Sequence, residues 1–232
     1  MGTDIHSIAQ VNRDGRWQTV AIGIDGDQRS YNTFAMLANV RNGYGFAGCR
    51  TSTGFPVIHE RRGLPEDLEA DEDNGLLINK SDLVCAWDWD GDEKPIDSPD
   101  AWRVKYITET EPKMYLGDHS FSWCTLAELR TFIENVAKKT ETRIVGVVDL
   151  AAYNLHKQTG QPYTSWCGMI SGQGVVVESD PPGPRATHVQ TSWPVNAAES
   201  SRLCEIEAAL TLVAERAGAS HDNIRFVYGF DS

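Results

Sequence analysis

The chain has 232 residues, 41% of them hydrophobic and 23% charged, with a formal net charge of −12. That is enough apolar material for a globular core, no apolar run approaches the ~20 residues that span a bilayer, and the acidic balance argues against direct nucleic-acid binding. Five scattered cysteines without a C-x-x-C pair, and no basic-then-apolar leader, point to reduced thiols in a cytoplasmic compartment.

Residues 3–11 and 16–24 read as two strands around the turn Asn12-Arg13-Asp14-Gly15, a hairpin signal. Asp4 and His6 are two apart on the first strand and so point to the same face. A carboxylate and an imidazole in that relation can share a divalent cation or act as an acid/base pair. The plainer alternative is a solvated sheet end where Asp4 orients the imidazole. Ser30 is placed to cap a helix carrying Tyr31, Phe34, Leu37 and Ala38 on one face. Residues 41–65 are rich in Gly and Arg with little periodicity, and residues 66–73 and 88–100 are acidic and Pro-punctuated. Together they predict an irregular insertion over about residues 41–115.

Thr125 followed by Glu128 is a capping box, ahead of the stripe Leu126, Leu129, Ile133 and Val136. Residues 143–150, 174–178 and 187–193 read as strands. Asn196 and Glu199 repeat the capping pattern before Leu203, Ile206, Leu210 and Val213, and Gly218 stops that helix. Ile224, Phe226, Tyr228 and Phe230 alternate in a last strand. Strands and helices do not alternate regularly. The expectation is a single α+β domain over residues 1–232, with a mostly antiparallel mixed sheet, about three helices and long irregular loops.

Several motif matches fail on context. Gly43-Tyr44-Gly45-Phe46-Ala47-Gly48 has the letters of a dinucleotide fingerprint but follows a helical stripe, and Gly54 and Pro56 block the helix that must come next. Flanked by Arg41 and Arg50, it reads better as a flexible or anion-accepting loop. Asp88-Trp89-Asp90-Gly91-Asp92 lacks the glycine and glutamate positions of a calcium loop. No nucleophile elbow, H-E-x-x-H helix or P-loop occurs.

Gly117-Asp118-His119-Ser120-Phe121-Ser122-Trp123 lies directly before the Thr125-capped helix, whose N-terminal N–H groups favour nearby negative charge. Asp118 and His119 repeat the chemistry of Asp4 and His6. The two pairs together would complete a divalent metal site (Zn, Mn or Mg) with an open position for water, with His6, Asp118 and His119 as catalytic groups. The alternative is an ordered loop in which Asp118 and the serines satisfy turn backbone and His119 packs on Trp123. Glu60-Arg61-Arg62-Gly63-Leu64-Pro65-Glu66-Asp67 is the densest basic spot. Its guanidinium groups, with Arg41, are candidates to hold a carboxylate or phosphate in paired hydrogen bonds, or else they pair with neighbouring acids. His156, His188 and His221 have no partners at ligand spacing and read as structural or surface residues.

The Met-Gly-x-Asp-Ile-His opening resembles a family of uncharacterised phage and prophage proteins. So do the 41–48 segment from Arg41 to Gly48, Arg62-Gly63-Leu64-Pro65, Asp118-His119-Ser120-Phe121-Ser122-Trp123 and the C-terminal Ile224-Arg225-Phe226-Val227-Tyr228-Gly229-Phe230-Asp231. Members of that family often carry Cys where this chain has Thr3 and His where it has Phe121. The resemblance implies a phage origin and action in the bacterial host cytoplasm. The leading expectation is a metal-assisted hydrolase acting on a phosphorylated, nucleotide-like substrate. The other is a non-catalytic counter-defence protein that sequesters a nucleotide signal or binds and inhibits a host defence protein.

Overall fold

The computed structural model describes residues 3–24, 29–44, 53–68, 83–87, 93–94, 103–106, 116–117, 119–163 and 173–231. The fold is α+β. The opening hairpin joins β1 (Asp4–Arg13) to β2 (Arg16–Ile22) through Asp14 and Gly15. Both turn residues have positive φ, 53° and 83°, the signature of the primed turns whose twist matches the flanking strands.

The main sheet is antiparallel throughout and has the order β2-β1-β10-β6, where β10 is Ile224–Asp231 and β6 is His119–Thr125. Residues 119–123, for which an ordered loop is one of the two readings of the sequence, are therefore part of an edge strand. Its alternation is short in sequence because the strand is irregular at its start, where Ser120 has φ 54° and the pairing with β10 shifts between Tyr228 and Phe230. One face of the sheet presents Ala9, Val11, Cys124, Ile224, Phe226, Tyr228 and Phe230 to three helices. These are α1 (Tyr31–Ala38), α2 (Leu126–Phe132, continued by a π turn Ile133–Ala137) and α4 (Leu203–Ala217). Phe34 packs edge-on to Phe230 at 5.1 Å, and Leu129, Ile206 and Leu210 complete the layer. Each such fully buried side chain contributes roughly 1.5–3 kcal/mol. The opposite parity of β1 and β10 is also closed, since Ile8, Gln10, Arg225 and Val227 are all buried.

The expected helix starts are met in part. Thr125 and Glu128 form both bonds of the capping box. Ser30 stands at the N-cap of α1 but makes no side-chain cap bond, its hydroxyl accepting instead from Thr33 Oγ1. Asn196 caps a turn and not a helix, its Oδ1 accepting from the N–H groups of Ala198 and Glu199. Such local side-chain bonds compete with helix. α4 begins only at Leu203, where the Thr33 hydroxyl receives the Arg202 N–H.

A second sheet has the order β7-β9-β8, with β7 (Thr140–Asp149) antiparallel to β9 (His188–Asn196) and β8 (Val177–Ser179) parallel to it. The sequence reading missed α3 (Leu150–Thr159), capped by the Asp149 carboxylate. Tyr153 is its one buried residue, so no wide apolar stripe marks it. Within the expected irregular region 41–115, three short strands pair antiparallel: β3 (Leu83–Trp87), β4 (Glu93–Lys94) and β5 (Arg103–Tyr106). The acidic motif 88–92 and most of the glycine motif 43–48 lie outside the described residues. No helix among the described residues is long and apolar enough to cross a membrane.

Candidate functional site

Register decides how the expected Asp/His clusters relate. Asp4, Ile5 and His6 pair with Asp231, Phe230 and Gly229 on β10, and Phe230 pairs with His119 on β6. Directly opposed residues share a face, and neighbours along a strand do not. Asp4, His6 and Asp231 therefore share one face, while Ile5, Phe230 and His119 share the other. The contacts agree. His6 Nε2 lies 3.1 Å from Asp231 Oδ2, and Asp231 Oδ1 accepts the Asp4 N–H at 3.0 Å. Asp4 receives Arg29 Nε and Nη2 at 2.5 and 2.9 Å, and those bonds hold its carboxyl below the ordinary range.

His119 is buried with its ring stacked on Phe230 at 6.2 Å and Nδ1 3.0 Å from Ser120 Oγ. It thus packs on Phe230 and not on Trp123. Asp118 lies outside the described residues. The structure brings Asp4 and His6 together, adds Asp231, and turns His119 away from them. Among the described residues no three His, Cys, Asp or Glu side chains converge as a metal-holding group.

The predicted arginines also separate. Arg41 stacks over Tyr31 at 5.1 Å. Arg61 Nη1 donates to Ser120 Oγ at 2.8 Å. Arg62 gives Nη1 and Nη2 to the two oxygens of Glu128, at 2.9 and 2.6 Å, and its guanidinium lies 4.7 Å from the centre of the Trp123 ring. The segment carrying them runs along the free edge of β6. The Ile58 N–H reaches the Met36 carbonyl on the helical side, the Arg62 N–H reaches Ser122 Oγ, and Asp67 reaches Arg225 on the far side. Gly63, at φ 71°, supplies a backbone conformation that other residues adopt at a cost.

That crossing borders a partly open cavity of about 500 Å3 lined by Trp17, Arg62, Leu64, Pro65, Glu66, Asp67, Trp123 and Arg225. Arg225 is the key member. It is only 2% exposed, lies 4.3 Å from the Trp17 ring centre and 5.8 Å from that of Trp123, and heads a polar row across three strands. Arg225 Nε donates to Gln10 Oε1 at 2.7 Å, and Gln10 Nε2 donates to Thr19 Oγ1 at 3.2 Å, these residues being cross-strand neighbours. Nη1 donates to Asp67 Oδ1 at 2.6 Å. Nη2 is shut off from solvent and makes no hydrogen bond. Burial pushes the Arg225 pKa down, with Asp67 opposing; a guanidinium nevertheless stays charged at neutral pH. A buried charge with one donor unused is costly, about 1–3 kcal/mol for the donor alone; what sets Arg225 apart from other buried donors without a bond is that it lines a cavity.

Of this site, sequence reasoning reached only Arg62. Trp17, Trp123, Asp67, Gln10 and Arg225 were missed, although one signal was present. Arg225 stands between Ile224 and Phe226 in a strand whose every residue from Ile224 to Phe230 is buried, and Gln10 interrupts an apolar strand in the same way. Charged or amide side chains at such positions need partners. Compared with known proteins, the chain matches no family model, no curated protein and no solved structure.

Proposed function

We propose that this protein captures a small anionic ligand with a flat ring, without chemical change, in the cavity between Trp17 and Trp123. The observation that carries the reading is Arg225: a buried guanidinium with one unbonded donor, in the lining of a cavity that it shares with two indoles, Leu64 and Pro65 and the charged Arg62, Glu66 and Asp67. Apolar and aromatic walls with a few convergent polar groups are what small-molecule sites present, and indole faces suit a planar ring. In the phage setting that the sequence resemblance implies, the natural role is to sequester a nucleotide-like signal in the host cytoplasm. Capture fits better than metal-assisted hydrolysis because the Asp4 carboxylate is held by Arg29 and the buried His119 ring stacks on Phe230, away from Asp4 and His6.

The test is a thermal-shift panel of nucleotides and aromatic acids on the full chain, followed by denaturation and chromatography of whatever bound. Ligand recovered intact, with binding weakened about tenfold or more in Arg225→Lys, supports capture. Product in place of ligand, with turnover abolished in His6→Ala, overturns it in favour of the hydrolase. No shift with any compound also overturns it.

A further inference from the structure

Arg62 and Arg225 line the same cavity but use their guanidinium edges differently. Arg62 turns its terminal edge to Glu128, Nη1 and Nη2 each meeting one carboxylate oxygen. Arg225 gives Nη1 to a single oxygen of Asp67 and leaves Nη2 unbonded. An arginine edge offers two parallel N–H donors that match both oxygens of a carboxylate or phosphate, so Asp67 fills half of a two-pronged site.

The two partners are also unequally committed. The Arg225 side chain is 3% exposed and that of Asp67 is 55% exposed. Asp67 can return to water with little loss, whereas Arg225 has no such exit. Buried Leu64 and Leu68 hold the chain on either side of it, with the Leu68 N–H bonded to the Pro65 carbonyl. A change at Asp67 therefore need not unseat the loop.

We infer that the ligand carries a single two-oxygen anionic group, a carboxylate or a phosphate monoester, which takes both Nη1 and Nη2 of Arg225 and displaces Asp67. The inference rests on the capture reading above. Asp67 is then a built-in competitor that sets affinity. With Glu66, also exposed and lining the cavity, it repels ligands bearing further anionic groups beyond the one that Arg225 holds. The site accordingly selects a monophosphate or monocarboxylate over a polyphosphate.

Isothermal titration of the full chain and of Asp67→Asn with AMP, nicotinate, ATP and adenosine tests this. AMP supplies a phosphate monoester, nicotinate a carboxylate, and adenosine no anion. The expected result is binding of AMP or nicotinate, weaker binding of ATP, none of adenosine, and affinity raised roughly threefold or more in Asp67→Asn, the scale of one released ion pair. If the wild type binds a probe and Asp67→Asn binds it equally or less well, displacement is wrong while capture stands. ATP binding more tightly than AMP overturns the single-anion selection. If no probe binds either protein, capture itself fails. Should Asp67→Asn not fold, a crystal structure of the wild type with the bound probe decides. Asp67 Oδ1 moved out of hydrogen-bond reach of Nη1 supports displacement, and the 2.6 Å contact retained overturns it.

Discussion

Arg62 and Glu128, 66 residues apart in sequence, are joined through both guanidinium Nη atoms and both carboxylate oxygens. The same Glu128 closes the capping box with Thr125, so one side chain both starts α2 and anchors the segment that crosses the edge of β6.

Replacing Glu128 by Ala removes the anchor and the returning bond of the box, while the backbone N–H at 128 still reaches Thr125 Oγ1. The lost Thr125 N–H bond alone is worth about 0.5–1.5 kcal/mol, and for a chain of this size each kcal/mol lowers Tm by roughly 2–4 °C. Burial pushes the Glu128 carboxyl up, but the bonds from Arg62 and the Thr125 N–H outweigh it and hold it below its ordinary 4.5. A carboxylate with a depressed pKa in the folded state stabilises above its unfolded pKa and loses that contribution as pH falls through the folded one. Acid melting curves should therefore drop more steeply below pH 4.5 for wild type than for Glu128→Gln.

His59 gives a second pH dependence at higher pH. Burial lowers its pKa below the ordinary 6.5, with bonds to backbone carbonyls, including Nδ1 to the Glu60 carbonyl at 2.7 Å, acting the other way. The unfolded chain then takes up a proton at a pH where the folded protein does not, so stability falls as pH drops below about 6.5. His59→Asn keeps a donor near Nδ1 and should flatten Tm between pH 7 and 5.5. An unchanged slope would place the titrating group elsewhere.

Arg62 and Arg225 should respond differently to mutation. Arg225→Lys keeps the charge but loses the two-pronged edge. A charge-assisted bond is worth roughly 1.5–3 kcal/mol, so ligand affinity should fall about tenfold or more. Arg62→Ala should instead cost stability more than affinity, because its fork is already filled by Glu128. Titration and urea unfolding of the two variants separate these effects.

The Gly117-Asp118-His119-Ser120 stretch has a backbone reason for its composition. Gly117 has φ 89°, and a Cβ there would collide with the backbone of Phe230; a Cβ at Gly229 would collide with the Leu116 carbonyl and the Phe121 ring. Gly117→Ala combines left-handed strain with overpacking and should destabilise by about 2–5 kcal/mol. Gly229→Ala, which adds overpacking alone, should cost less. Chemical denaturation of both variants checks the order.

Much of the fold was legible because its signals are local. The Asp14-Gly15 turn, the Thr125–Glu128 box and the stop at Gly218, left-handed in the structure, depend on residues a few positions apart. Asn196 misled because the same local preference that caps a helix also closes a turn, and tertiary bonding through Thr33 chose where α4 starts. β6 was obscured by its flanking Gly117 and its serines, which only the neighbouring strand reveals as paired.

The functional site lies at the other extreme. Composition and strand parity were enough to place Asp4 and His6 side by side on one face. They carried no information on which face His119 takes, because that follows from the β10–β6 register and its shift between Tyr228 and Phe230. Arg225 meets Gln10 across 215 residues and Asp67 across 158, and Trp17 and Trp123 meet it from two other strands. No periodicity couples positions so far apart. Their convergence is fixed by antiparallel pairing and by the desolvation cost of a guanidinium that must find its partners inside the fold.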